Sequence, residues 1–102
     1  MENRLLLHEK LIEILGSGNV YFQPPESLKL KYPAIIYSRN RIDNRFANDN
    51  VYEQDHGYTV MVIDKDPDSE IVDRMSKFPM TKFDRHYVAD NLNHDVFTVY
   101  YR

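Results

Sequence analysis

The chain has 102 residues, a formal net charge of −3 and no cysteine. That length suits one domain, so a single unit spanning residues 1–102 is expected. Without a thiol there is no disulfide framework, thiolate metal site or cysteine nucleophile, and the mildly acidic balance argues against a dedicated nucleic-acid binder.

Residues Asn3 to Leu15 read as an amphipathic helix. Leu5, Leu7, His8, Leu11, Ile12, Ile14 and Leu15 cover about half of its cylinder, and Glu2, Glu9 and Glu13 lie opposite, with Leu6 as the apolar exception. So wide an arc suggests contact with a second helix as well as a sheet. The opening nine residues hold an apolar run of only three, so no signal peptide is expected. No stretch nears the ~18 apolar residues of a membrane span. A soluble protein, intracellular or delivered by lysis, is the expectation. Gly16-Ser17-Gly18 ends the helix. Asn19 to Lys31 reads as an irregular link, because Pro24-Pro25 forbids ladder bonding while Val20, Tyr21 and Phe22 pin it to the core.

Ala34 to Tyr37 is a short strand, followed by a long polar loop over Arg39–Asn50. Val51 to Asp64 is the return strand, with Gly57 a candidate bulge. Its inner run, Tyr58 to Ile63, is apolar, aromatic or β-branched and suits burial on nearly both faces. A second helix starts at once, with Asp66 placed as N-cap, Pro67 at the first position, Asp68 and Glu70 in the first turn, and an end near Lys77. Met80–Val88 and Asp95–Tyr101 are two further strands joined by a turn over Ala89–His94. The pattern predicts an α+β fold of order α-β-β-α-β-β: a mainly antiparallel four-stranded sheet, two helices on one face, and a long projecting β-hairpin.

Signals for chemistry are weak. Asp64-x-Asp66-x-Asp68-x-Glu70 has the spacing that opens a calcium loop, but Ser69 stands where that loop needs glycine and Met75 where it needs glutamate. These acids read instead as helix capping. Asp84, His86, His94 and Asp95 lie on the two arms of one hairpin, and a metal or acid–base site would require them to converge. His8 reads as a packed, hydrogen-bonded histidine. No glycine-rich phosphate loop or nucleophile elbow is present, so no catalytic, metal or cofactor residue is assigned and no cofactor is expected. The charge distribution is more informative. Residues 28–46 carry five bases (Lys29, Lys31, Arg39, Arg41, Arg45) against Asp43, whereas residues 47–73 carry eight acids against Lys65. Adjacent regions of opposite sign suit a head-to-tail contact between copies.

The words Tyr32-Pro-Ala-Ile-Ile-Tyr37, Tyr58-Thr-Val-Met-Val-Ile-Asp64 with Pro67-Asp-Ser-Glu70, and Phe83-Asp-Arg-His-Tyr87 with Asp90-Asn-Leu-Asn-His-Asp-Val-Phe97 resemble those of small bacteriophage and prophage tail proteins. The tail-terminator class, which completes tails and joins them to heads, is the one resembled, over nearly the whole chain. The resemblance implies a non-enzymatic virion protein, assembled in the host bacterial cytoplasm, that forms a ring of typically six copies. That ring would cap the tail tube and meet the head connector. Its partners would be further copies of itself, tail-tube and head-connector proteins and, non-specifically, DNA in the channel, with no membrane. Arg39, Arg41, Arg45, Phe46, Tyr52, Glu53, Asp55, Asp64 and Asp66 are then the candidate interface residues. Two virion-related or accessory alternatives are a nucleic-acid-binding protein using Arg39–Arg45 and a head-completion or minor capsid component. A third is a small metal-dependent or ligand-binding enzyme domain.

Overall fold

The structure, a computed structural model, describes the backbone of residues 2–47 and 50–101 and the side chains of residues 4–40 and 57–100. The elements in chain order are α1 (Glu2–Leu15), β1 (Val20–Phe22), β2 (Ala34–Ala47), β3 (Asn50–Asp64), α2 (Glu70–Ser76), β4 (Thr81–Ala89) and β5 (Leu92–Tyr101). They build a five-stranded sheet of order β1-β2-β3-β5-β4.

The expected four-stranded, mainly antiparallel sheet is corrected by this topology. Val20-Tyr21-Phe22 is a strand rather than part of an irregular link, and it pairs parallel with Ile35-Ile36-Tyr37 of β2, making the sheet mixed. Three β-branched or aromatic residues suffice for an edge strand, and Pro24-Pro25 then stops the ladder, as proline must. Gln23 carries the pattern one step further: its N–H donates to the Tyr37 carbonyl, and its side-chain Oε1 accepts from the Arg39 N–H at 3.2 Å.

The core lies between one sheet face and the two helices. Leu7, Leu11 and Leu15 of α1 and Ile71 and Met75 of α2 join Val20, Ile35, Tyr37, Tyr58, Val60, Val62, Phe97 and Val99 in one buried cluster. The i, i+4 spacing of the three leucines sets them on one stripe. Leu5, placed on the same arc from sequence, is instead 53% exposed. The two helices do touch: Arg74 Nε donates to the Ile14 carbonyl at 2.7 Å, taking one of the acceptors that the end of α1 leaves unpaired. Gly16, at φ 83°, lets the chain leave α1, and its N–H closes on the Ile12 carbonyl.

Two further boundaries differ from the sequence reading. The helix N-cap is Ser69, whose hydroxyl accepts from the Ile71 N–H, and α2 begins three residues after Pro67. Asp64 and Asp66 each accept the N–H two residues on, at 3.1 and 2.9 Å. They therefore shape successive side-chain turns and leave the capping to Ser69. The β4–β5 turn is only Asp90-Asn91, with φ values of 53° and 62°, the left-handed pair that a tight hairpin requires.

Candidate interaction surface

The expected polar loop over residues 39–50 is for the most part strand. β2 continues to Ala47 and β3 starts at Asn50; residues 48 and 49 lie outside the described residues. Beyond Phe22–Tyr37, β2 has no partner but β3, and β3 meets β5 only from His56 onward. Residues 40–47 and 50–55 are therefore a two-stranded ribbon continuing past the sheet by six residues of β3, about 20 Å at ~3.3 Å per residue. The molecule measures 51 × 27 × 23 Å, as such an extension demands. The bulge expected at Gly57 sits across from it. Register slips by one between Arg39 and Arg41, so Asn40 is the extra residue, and its Nδ2 donates to Thr59 Oγ1 at 3.0 Å.

Register also decides how the candidate charges stand. Arg39 faces Tyr58, Arg41 faces Gly57, Asp43 faces Asp55, Arg45 faces Glu53 and Phe46 faces Val51, with Tyr52 the extra residue of a second slip. Bases and acids that are separate in sequence are thus interleaved across one ribbon. The ribbon is not a basic arm, because it holds two arginines and three carboxylates, with Arg45 directly opposite Glu53. The side chains of Arg41, Arg45, Phe46, Tyr52, Glu53 and Asp55 lie outside the described side chains. Asp64 and Asp66 sit at the opposite end of β3, fourteen residues or more from the tip, so the structure does not bring the nine candidates together.

The β4–β5 hairpin separates its own histidines and acids. A register slip at Asp84 puts Asp84 on the sheet face away from the helices, where its carboxylate accepts from Thr98 Oγ1 at 2.6 Å. His94 is on that face too, stacked on Tyr87 at 4.6 Å and 7°. His86 and Asp95 stand on the helix side, where His86 Nε2 donates to Asn93 Oδ1 at 3.2 Å. Burial raises the Asp95 pKa, and the nearby charges of His86 and His94 partly offset it. Divided by the sheet, the four do not converge, and among the described residues no group of three or more His, Asp or Glu could hold a metal ion.

His8 is packed and hydrogen-bonded. Its Nδ1 lies 2.7 Å from the buried Tyr37 hydroxyl, to which Arg4 Nη1 donates at 3.2 Å. Arg4 can only donate, so the phenol's single proton is free to go to a neutral imidazole. Burial, followed by the Arg4 charge, lowers the His8 pKa, and burial raises that of Tyr37. This part-buried network ties α1 to β2.

Two surfaces remain open. On the sheet face away from the helices, a groove of about 450 Å³ lies over Ile36 and Ser38, walled by Pro24, Pro25, Leu28 and Leu30. At the far edge, β4 pairs with β5 on one side only, and eight of its nine residues are exposed. Met80 is 68% exposed, Phe83 50%, Tyr87 37% and Val88 62%, the densest run of uncovered apolar side chains among the described residues. Sequence reading placed this strand but not its position at an edge. The only hint is that Lys82-Phe83-Asp84-Arg85-His86 breaks the alternation that a half-buried strand keeps. No protein-family model matches the chain, and no curated protein matches it significantly.

Proposed function

We propose that the chain is a non-enzymatic virion assembly protein of a phage or prophage, which caps the tail tube and joins tail to head as a ring of copies. The observation that carries this reading is the ribbon of residues 40–47 and 50–55, which leaves its own sheet with no third strand beside it among the described residues. An isolated two-stranded ribbon is marginal in water, so one of this length is better suited to contact between molecules than to the stability of a lone subunit. The exposed edge at β4 and the dispersal of titratable groups support the same reading, since a scaffold needs surfaces and not a pocket. The resemblance to tail terminators contributes the six-fold ring and the tail partners. Arg41, Arg45, Phe46, Tyr52, Glu53 and Asp55 are then the ribbon's contact residues, with Arg39 at its base, opposite Tyr58. Asp64 and Asp66 take no part in that contact, because they lie at the other end of β3. The interleaved carboxylates speak against the alternative of an arginine loop gripping nucleic acid.

Deleting the gene in an inducible prophage tests the proposal. The terminator role requires unjoined heads and tails, with tails of irregular excess length in electron micrographs. Normal tails on joined heads refute it, and leaking heads beside tails of normal length would move the role to head completion.

A further inference from the structure

Among the described residues, two of the open strand edges are complementary. One is the outer edge of β4, open over nine residues. The other is the outer edge of β3 in the ribbon, Asn50 to Asp55, which lies in line with β5 but begins where β5 ends. No strand of the sheet pairs with either, and such an edge is the kind of template to which another strand adds. We propose that the ribbon of one copy adds to the β4 edge of the next, with β3 of the ribbon alongside β4. This rests on the ring reading above for the number of copies, while the contact itself comes from the edges.

Charge selects this pairing over others. β4 presents Lys82, Arg85 and His86 with one acid, Asp84, which Thr98 already engages. The Asn50–Asp55 segment contains Glu53 and Asp55 and no base. A second β4 would set Lys82 and Arg85 near their own kind, and the β2 side of the ribbon would bring Arg41 and Arg45. The slip at Asp84 and the edge cations blunt β4 against indiscriminate strands, a usual protection for exposed edges. An incoming acidic strand turns those cations into partners. Lengths also agree, since six ribbon residues fit within the nine of β4. Because the two edges differ, the contact is heterologous: each copy gives a ribbon and receives one, which closes into a ring when the rotation allows. Phe83, Tyr87 and Val88, exposed in the single copy, would be covered by the added strand.

Zero-length carbodiimide coupling of a one-to-one mixture of ¹⁵N-labelled and unlabelled full-length chain, at millimolar concentration, tests this directly. The expected product is a mixed heavy–light peptide pair joining Lys82 to Glu53 or Asp55. Within one copy β5 lies between the two strands and Glu53 stands six residues along β3 from Thr59, which is level with Lys82; the heavy–light pairing in any case excludes an internal link. Mixed pairs only at other positions, or none, overturn the proposal. As a second arm, Lys82→Glu with Arg85→Glu, or Glu53→Lys with Asp55→Lys, should each lower the mixed-dimer yield on the order of tenfold. All four changes in one chain should restore it, scored by a lysine-independent photo-cross-linker, with circular dichroism confirming the fold. Failure of the four-fold variant to restore association also counts against the pairing. A normal-tail deletion phenotype with the heavy–light link present would refute the tail role alone, whereas overlong tails without the link would refute only the strand pairing.

Discussion

Tyr37→Phe separates the hydroxyl of the buried network from the ring that carries it. The ring packs 5.0 Å from Phe22, 5.6 Å from His8 and 6.1 Å from Tyr58, and phenylalanine keeps all three contacts. What disappears is the acceptor for Arg4 Nη1 and the partner of His8 Nδ1. A typical hydrogen bond contributes ~1 kcal/mol net, and a half-buried imidazole left without its partner adds a fraction of the ~1–3 kcal/mol desolvation cost. The expected loss is about 1.5–2 kcal/mol, which in a domain of this size lowers Tm by roughly 6–16 °C. Urea titrations at pH 7.5 measure it, with an unchanged m-value showing that the unfolded state is not altered. Tyr37 supplies a second readout. Its folded pKa is raised above 10.0, so the folded state holds the proton longer than the unfolded chain. Wild-type stability is fully present below pH 10 and is lost as pH rises through the folded value; the Tyr37→Phe chain lacks that loss. A loss under 0.5 kcal/mol at pH 7.5, with both curves falling alike above pH 10, would refute the network.

Ser69→Ala should cost ~1 kcal/mol as a lost N-cap, whereas Asp66→Ala at the exposed turn should cost less than half of that, both by chemical denaturation. His8 has a folded pKa below the ordinary 6.5, so its contribution is complete above pH 6.5 and is lost as pH falls through 6.5 toward the folded value; His8→Gln should remove that component from the stability–pH curve. Asp95 behaves oppositely. Its folded pKa is raised, so its ionisation counts against the fold as pH climbs from 3.8 through the folded value, and Asp95→Asn should raise Tm at pH 7 but not at pH 3. Arg74→Ala should destabilise by about 0.5 kcal/mol through loss of its exposed bond to the Ile14 carbonyl, which water can then take up, with Arg74→Lys recovering little because no Nε–H replaces the one lost.

Long periodic segments were legible from sequence, and short or two-stranded ones were not. The Leu7–Leu11–Leu15 stripe and the apolar Tyr58–Ile63 run locate α1 and the central strand because each repeats a period over several residues. Three residues are too few for a period, and parallel pairing leaves no hairpin signature, so Val20–Phe22 looked like part of a link. Polarity concealed the ribbon: with neither face on the core, nothing forces alternation on Arg39–Asn50, and it resembled a loop. At the α2 start, Asp66-Pro67 and Ser69-Glu70 are both acceptable starts. Asp66 and Asp64 are taken by local turns, which leaves Ser69 to cap. Six of the nine candidate contact residues fall on the ribbon, and the strand register that interleaves their charges was not legible.

The order of strands also governs when the chain can fold. Both antiparallel hairpins, β2–β3 and β4–β5, join neighbours in sequence and can close on the microsecond scale. Helix α1 cannot follow so early, because Leu7 and Leu11 are buried in one cluster with Phe97 and Val99, close to ninety residues away along the chain. Helix α1 therefore leaves a ribosome with an apolar stripe whose full partner is translated much later. Its amides should gain protection after those of the hairpins in pulse-labelled refolding, and chains stalled short of β5 should present that stripe to chaperones.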